Sequence, residues 1–280
     1  MATIIDGKAL ALKIKQQVKE AAEALPRQPG LAVVLIGDNP ASRKYLDSKE
    51  KDCRDCGFLS FEYRLPEDTS EGELLDLIHR LNEAAEVDGI LIQMPLPEHM
   101  DSRNILQAVA VEKDVDGFHP VNVGRLSIDD PLFIPCTPAG IMEMLREYRI
   151  PISGKRCVVV GRSNTVGKPM SRLLLQEDGT VTVCHSKTVD LGSITREADI
   201  LVSAAGVAGL ITADMVKEGA VVIDVAMNRS PAGGWCGDVD FDAVAAKASY
   251  ITPVPGGVGP TTRAVLMRNL LEAAQLHMDA

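Results

Sequence analysis

The sequence has no apolar run of membrane-spanning length: stretches such as GAVVIDVAMN fall far short of the ~20 residues a transmembrane helix needs. It also lacks an excess of positive charge. With 29 Lys and Arg against 39 Asp and Glu, the formal charge of -10 opposes a phosphodiester backbone, and the cations are scattered among acids, so nucleic acid is not an expected partner. The N-terminus, MATIIDGKALALKIKQQVKE, is charged by its sixth residue and has no small-residue cleavage site behind an apolar core, so a cytoplasmic location is expected. A disulfide framework is missing too. Cysteines 53, 56, 136, 157, 184 and 236 stand in apolar or helical contexts, as reduced thiols do. Cys53 and Cys56 form one C-x-x-C, but no second soft pair completes a zinc site, and helix packing is favoured over redox or metal duty. No G-x-S-x-G or H-E-x-x-H occurs, Lys168 is followed by Pro169 rather than Ser or Thr, and the five histidines are unclustered.

What is present alternates. An amphipathic helix over about residues 7–25 leads to the apolar run LAVVLIGDNP. The helical stretch ASRKYLDSKEKDCRDCG, the weaker strand FLSFEYRLP, a capped helix TSEGELLDLIHRLNEAAEVD and the strand GILIQMPLP follow. Strand, helix, strand, helix, strand implies a parallel sheet. A Pro-, Gly- and Asp-rich stretch, VEKDVDGFHPVNVGRLSIDDPLFIPCTPAG, reads as a functional segment or domain junction. Beyond it, RCVVVGRS, TVTVCHS, ADILVSAAG, GAVVIDVAMN and ASYITPVPGG are five short strands spaced as in a second, dinucleotide-binding sheet. The last helix, TTRAVLMRNLLEAAQLHM, has an apolar face that needs a partner surface.

In VVVGRSNTVGKPM a strand feeds a turn at Gly161 and a helix starts near Val166, so free N–H groups at that start are expected to face an anion. Gly167 permits close packing, and Pro169 suits a first helical turn. The next strand ends in His185, Ser186 and Lys187 with no acid before Asp190, whereas an NAD-selective fold places Asp or Glu there. Arg162 and a hydroxyl in place of a carboxylate favour a 2'-phosphate, hence NADP over NAD.

Tyr45 and Lys49 stand four apart on one helix face, and a partly buried Lys beside a Tyr can shuttle protons. Spacing alone favours the plainer reading, a solvated face shared with Arg43, Lys44, Glu50, Lys51 and Asp52. Gln93 closes a strand at its ligand-facing end, or caps a turn. Asp114 and Asp116 each have a carboxylate that can accept N–H donors from a flat heterocycle or make an Asx turn. The loop PVPGGVGP, with Gly256 and Gly257, exposes N–H groups with little steric obstruction, or serves as a hinge.

In order, GDNPASRKYLDSKEKDC, DGILIQMPLP, KDVDGFHPVNVGRL, PCTPAGI, VVVGRSNTVGKPM, GDVDF and YITPVPGGVGPTT resemble the methylenetetrahydrofolate dehydrogenase/methenyltetrahydrofolate cyclohydrolase family. The resemblance implies two α/β domains with a cleft between them: a catalytic folate domain (1–137 with 261–280) and a Rossmann-like NADP-binding domain (138–260). It implies a cytoplasmic homodimer that uses NADP and no metal. Its reactions are oxidation of 5,10-methylenetetrahydrofolate to the methenyl compound and hydrolysis of that to 10-formyltetrahydrofolate. By motif match Lys49 is the catalytic lysine, which reverses the plainer reading of its helix face. Gln93 holds it, Tyr45 orients folate and Asp116 grips the pterin. Gly161, Arg162, Ser163, Ser186 and Met227 fall where the family contacts NADP, and Gly256 and Gly257 on the folate side. The chain departs from the family pattern at Thr261, at DVAMN and at AAGVAGLI, none of which touches Lys49, Gln93 or Asp116. The competing readings are a monofunctional NAD(P)-dependent methylenetetrahydrofolate dehydrogenase and a nucleotide-binding scaffold without catalysis.

Overall fold

A computed structural model describes residues 1–38, 40–230 and 233–279, without the side chains of 40–45 and 279. Contacts divide the chain into two compact units: Leu12–Cys136 with Arg263–Ala280, and Met1–Ala11 with Thr137–Thr262. In chain order the elements begin with β1 (Thr3–Ile4), α1 (Gly7–Ala22), β2 (Gly30–Ile36), α2 (Pro40–Cys56), β3 (Leu59–Leu65), α3 (Glu71–Glu83) and β4 (Gly89–Ile92). Then come α4 (Ser102–Ala108), α5 (Pro120–Ser127) and α6 (Cys136–Glu147). The remainder is β5 (Arg156–Val160), α7 (Gly167–Gln176), β6 (Thr180–Cys184), α8 (Leu191–Thr195), β7 (Ile200–Ser203), β8 (Val221–Asp224), β9 (Asn228–Arg229), β10 (Trp235–Cys236), α9 (Phe241–Ala245), β11 (Tyr250–Ile251) and α10 (Val258–Asp279).

The first of these units is built on a three-stranded parallel sheet in the order β3-β2-β4. β2 is central and buried at every position, which is why it reads as an unbroken apolar run. Leu74, Leu77, Ile78 and Leu81 form the buried stripe of α3, whose start is fixed by a capping box between Ser70 and Glu73. α2 ends at Gly57 with φ of 77°, a left-handed position that glycine fills without strain. Leu270 of α10 reaches Gly89, where a Cβ would collide with it. The apolar face of the last helix therefore finds its partner within this unit.

The second unit carries a six-stranded sheet, every pair parallel, in the order β1-β11-β8-β7-β5-β6. The five strands read from the sequence are all present. A sixth was not readable: two residues of β1 pair with β11, and contacts group Met1–Ala11 with this unit. From β5 the chain goes to β6 on one side and then to β7 on the other, so strand order reverses between β5 and β7. Ligands of open α/β sheets bind outside the strands' carboxyl ends at such a reversal. No helix among the described residues is long and apolar enough to cross a membrane.

Candidate active site

Lys49 projects from α2 with only 9% of its surface exposed. Its Nζ donates to Gln93 Oε1 at 2.9 Å. Gln93 is the first residue past β4, and its backbone N–H continues the ladder to Val34 O at 2.9 Å. Its Nε2 donates to Met94 O at 2.8 Å, so the side-chain amide is held at both ends with its oxygen toward the lysine. A strand end and a helix face 44 residues apart in sequence thus meet in one hydrogen bond.

The two aspartates of KDVDGFHP have separate tasks. Asp114, 4% exposed, accepts the N–H of Phe118 (3.1 Å), the N–H of His119 (2.7 Å) and Asn122 Nδ2 (2.8 Å), which shapes the loop and the start of α5. Asp116 is left for other work. The Cys136 thiol lies 3.6 Å from Asp116 Oδ1 and 3.5 Å from Val115 O. Asn269 of α10 donates to Val115 O (2.9 Å) and Ile134 O (3.1 Å), which pins both ends of the segment.

Burial lowers the Lys49 pKa from its ordinary 10.5; Asp116, Cys136 and Cys53 offset part of that, and the Arg263 charge adds to it. Burial raises Asp116, with Lys49 opposing. Desolvation thus moves both groups toward their neutral forms. Sequence spacing gives no sign of Arg263's place: in TTRAVLM it is a single cation at the start of a largely apolar helix. It is anchored to Asp52 at 3.2 Å, and Asp52, one turn beyond Lys49, also holds Lys15 at 2.8 Å. The Tyr45 side chain lies outside the described residues. Cys53 and Cys56 are buried, and burial pushes their thiols up to about 12 and about 11, far from the thiolate form that redox or metal duty needs.

Asp114 has a pH consequence, shared with Asp224 in the other unit. Burial raises each carboxyl from 3.8 to about 7, against the N–H donors that favour the charge. A carboxyl raised in the folded state contributes stability that is complete below 3.8 and lost as the pH climbs through about 7. The thermal midpoint should therefore rise when the pH is lowered from about 8 to about 6, and Asp114→Asn should flatten that rise. A wild-type midpoint that fell over the same window would mean that both carboxyls stay ionised.

The other expected residues lie in the second unit, at the carboxyl ends of its strands. Gly161 follows β5 with φ of 129°; a Cβ there would collide with Ala204 O, beyond β7. A Cβ on Gly167 would collide with Gly161 O, so the second glycine seats α7 against the turn. The expectation of free N–H groups at the start of α7 does not hold. Gly167 N–H donates to Ser163 Oγ (3.3 Å), Lys168 N–H to Ser163 O (3.0 Å) and Met170 N–H to Val166 O (2.8 Å), while Pro169 has none. Ser163 Oγ also receives the Val166 N–H at 3.1 Å, which leaves its own hydrogen to donate. Arg162, Ser163, Ser186 and Lys187 are exposed at the ends of β5 and β6, and Asp190 is occupied in capping α8 through Ser193 N–H. Two cations and two hydroxyls, with no free carboxylate among the described residues at these strand ends, and glycine at both Gly161 and Gly167 fit an NADP 2'-phosphate and a close backbone approach. Met227, 41% exposed, follows β8; Gly256 (φ 111°) and Gly257 precede α10.

A sheet reversal lined for a phosphorylated dinucleotide, together with a desolvated lysine held by an amide at another sheet's carboxyl end, defines a two-domain α/β enzyme of the NAD(P)-binding class. The chain belongs to the tetrahydrofolate dehydrogenase/cyclohydrolase family: residues 5–116 match its catalytic domain and residues 135–278 its NAD(P)-binding domain. Bifunctional protein FolD of Campylobacter hominis is 55% identical over 275 residues, 97% of each chain. The crystal structure of the bifunctional methylenetetrahydrofolate dehydrogenase/cyclohydrolase FolD from Campylobacter jejuni superposes with a TM-score of 0.96 at 49% identity, covering 99% of both chains. The Trypanosoma brucei enzyme, solved with NADP cofactor and inhibitor, superposes with a TM-score of 0.95 at 40% identity over 100% of this chain and 99% of that one.

Proposed function

We propose that the chain oxidises 5,10-methylenetetrahydrofolate to 5,10-methenyltetrahydrofolate with NADP and hydrolyses the product to 10-formyltetrahydrofolate, with Lys49, Gln93 and Asp116 as the working groups of the folate site. The observation that carries this reading is the buried Lys49 Nζ held 2.9 Å from Gln93 Oε1. Bound NADP supplies the hydride acceptor for the first reaction. The protein's own groups bind, orient and move protons. Asp116 grips N–H donors of the pterin with its carboxylate. In hydrolysis, water oxygen adds to the cationic methenyl carbon and Lys49 as the neutral amine takes one of the water's protons; the remaining hydroxyl proton passes to N5 as the bond to N5 breaks, which leaves the formyl group on N10. The balance is one cation and one water in, one formyl compound and one proton out. A permanently charged lysine would repel the cation, so the lowered pKa serves this step. Tyr45 orients the folate, and Gly256 and Gly257 offer it backbone groups. Gly161, Arg162, Ser163, Ser186 and Met227 hold NADP.

Purified protein given 5,10-methylenetetrahydrofolate and NADP should form NADPH and then 10-formyltetrahydrofolate; a chain that binds NADP yet forms no NADPH would be a scaffold. Arg162→Ala should weaken NADP about 10- to 100-fold, the worth of a charged hydrogen bond to phosphate, and leave NAD affinity nearly unchanged. Equal losses for both cofactors, read by calorimetry, would sink the 2'-phosphate role. The same reading includes a homodimer in the cytoplasm, which sedimentation at working concentration and fractionation of the cells would test.

A further inference from the structure

The stretch GDVDF, Gly237 to Phe241, holds none of the groups assigned to folate or NADP. Asp238 is wholly buried, yet no Lys, Arg or His pairs with it among the described residues. Its charge is met by five neutral donors instead. Oδ2 accepts Ser203 Oγ–H (2.9 Å), Ala205 N–H (2.7 Å) and Gly206 N–H (3.3 Å). Oδ1 accepts Val207 N–H (2.8 Å) and Asn228 Nδ2–H (3.0 Å). A buried carboxylate without a cation is tolerated only when polar groups converge on it in this way.

We infer that Asp238 is a positioning residue for NADP, holding the turns that follow β7 and β8 in the shape the cofactor needs. The inference rests on NADP binding at the carboxyl ends of these strands. Three consecutive N–H groups, 205 to 207, curl around one carboxylate as a backbone nest curls around an anion, and Gly206 permits this with φ of 72°. The residue before the nest is Ala204, whose carbonyl closes on Gly161. On the other side, Asn228 directly follows Met227. Two residues expected to touch NADP are therefore each one contact or one peptide from a group that Asp238 holds. The rest of the motif fixes Asp238 itself. Asp224, at the end of β8, accepts the N–H groups of Asp238 (2.9 Å) and Val239 (3.0 Å), and its carboxylate fills the space that a Cβ on Gly237 would take. Asp238 acts through the turns it ties.

Asp238→Asn keeps the volume but sets an amide N–H2 against N–H donors. NADP affinity, measured by calorimetry on the full chain, should fall roughly tenfold to a hundredfold, the scale of loss when a binding group is displaced by about 1 Å. Hydrolysis of supplied 5,10-methenyltetrahydrofolate should stay within about twofold, since Lys49, Gln93 and Asp116 belong to the other unit. Asp238→Glu should not restore affinity, because the longer stem misplaces both oxygens. Unchanged NADP affinity would overturn the inference, and so would equal losses of NADP binding and hydrolysis, which mark general destabilisation. If the Asn variant does not fold, Asn228→Ala decides: it removes one donor of five, and a several-fold weaker NADP with intact hydrolysis supports the role, whereas wild-type affinity rejects it. Wild-type protein that bound no NADP would refute the underlying cofactor reading instead.

Discussion

Lys49→Ala is expected to slow hydrolysis of 5,10-methenyltetrahydrofolate by about 10²- to 10⁴-fold, the usual worth of a positioned general base. Oxidation should suffer less. Loss of hydride from the methylene carbon needs no proton acceptor at Lys49, so NADPH formation should remain measurable while the methenyl compound accumulates. Burial and the Arg263 charge favour the neutral amine, and the amide oxygen of Gln93 at 2.9 Å fixes its place. Alanine removes the amine and leaves Gln93 Oε1 without its donor, so a melting curve must accompany the assay. The wild-type rate of hydrolysis should rise with pH through an apparent pKa below 10.5. A folded Ala variant that hydrolysed the methenyl compound at the wild-type rate would remove Lys49 from the mechanism.

Much of this was legible in the chain because local pattern and tertiary role agree. β2 is apolar throughout since both its faces are covered, and the gap between GILIQ and its partner helix is bridged by the strand-end rule that put Gln93 at the site. Other features depend on facts that sequence spacing does not carry. Asp114 and Asp116 are two residues apart with the same side chain; only the fold turns one onto Phe118, His119 and Asn122 and leaves the other beside Lys49. The plain helix-face reading of Lys49 failed for a similar reason. Its neighbours Glu50 and Lys51 suggest a solvated surface, but the lysine is covered, and Asp52 beside it turns inward to Arg263 and Lys15. The anion expected at the start of α7 assumed that a helix start leaves its donors free, and Ser163 takes them. β1 has only two residues, too few for an alternation to show. Asp238 looked like any loop aspartate, since the five donors it gathers lie 10 to 35 positions earlier in the chain.

Asp116→Asn should separate binding from proton transfer. The variant keeps shape and loses charge, and one of its two polar atoms turns from acceptor to donor, so it cannot accept a pair of N–H groups from a pterin. Each charge-assisted hydrogen bond lost is worth about 1.5–3 kcal/mol, which puts the rise in KM for folate on the order of 10²-fold or more, with NADP affinity unchanged. A second effect has the opposite origin. The Asp116 carboxylate raises the Lys49 pKa against burial, so its removal should lower that pKa further and move the rising limb of the hydrolysis profile to lower pH. Thus at saturating folate the variant should work over a more acidic range than the wild type, a result that simple loss of a substrate contact cannot produce. Weak binding with an unshifted profile would mean that Asp116 holds folate without influencing Lys49. A shifted profile with unchanged KM would mean that it tunes the lysine and leaves the pterin to other groups.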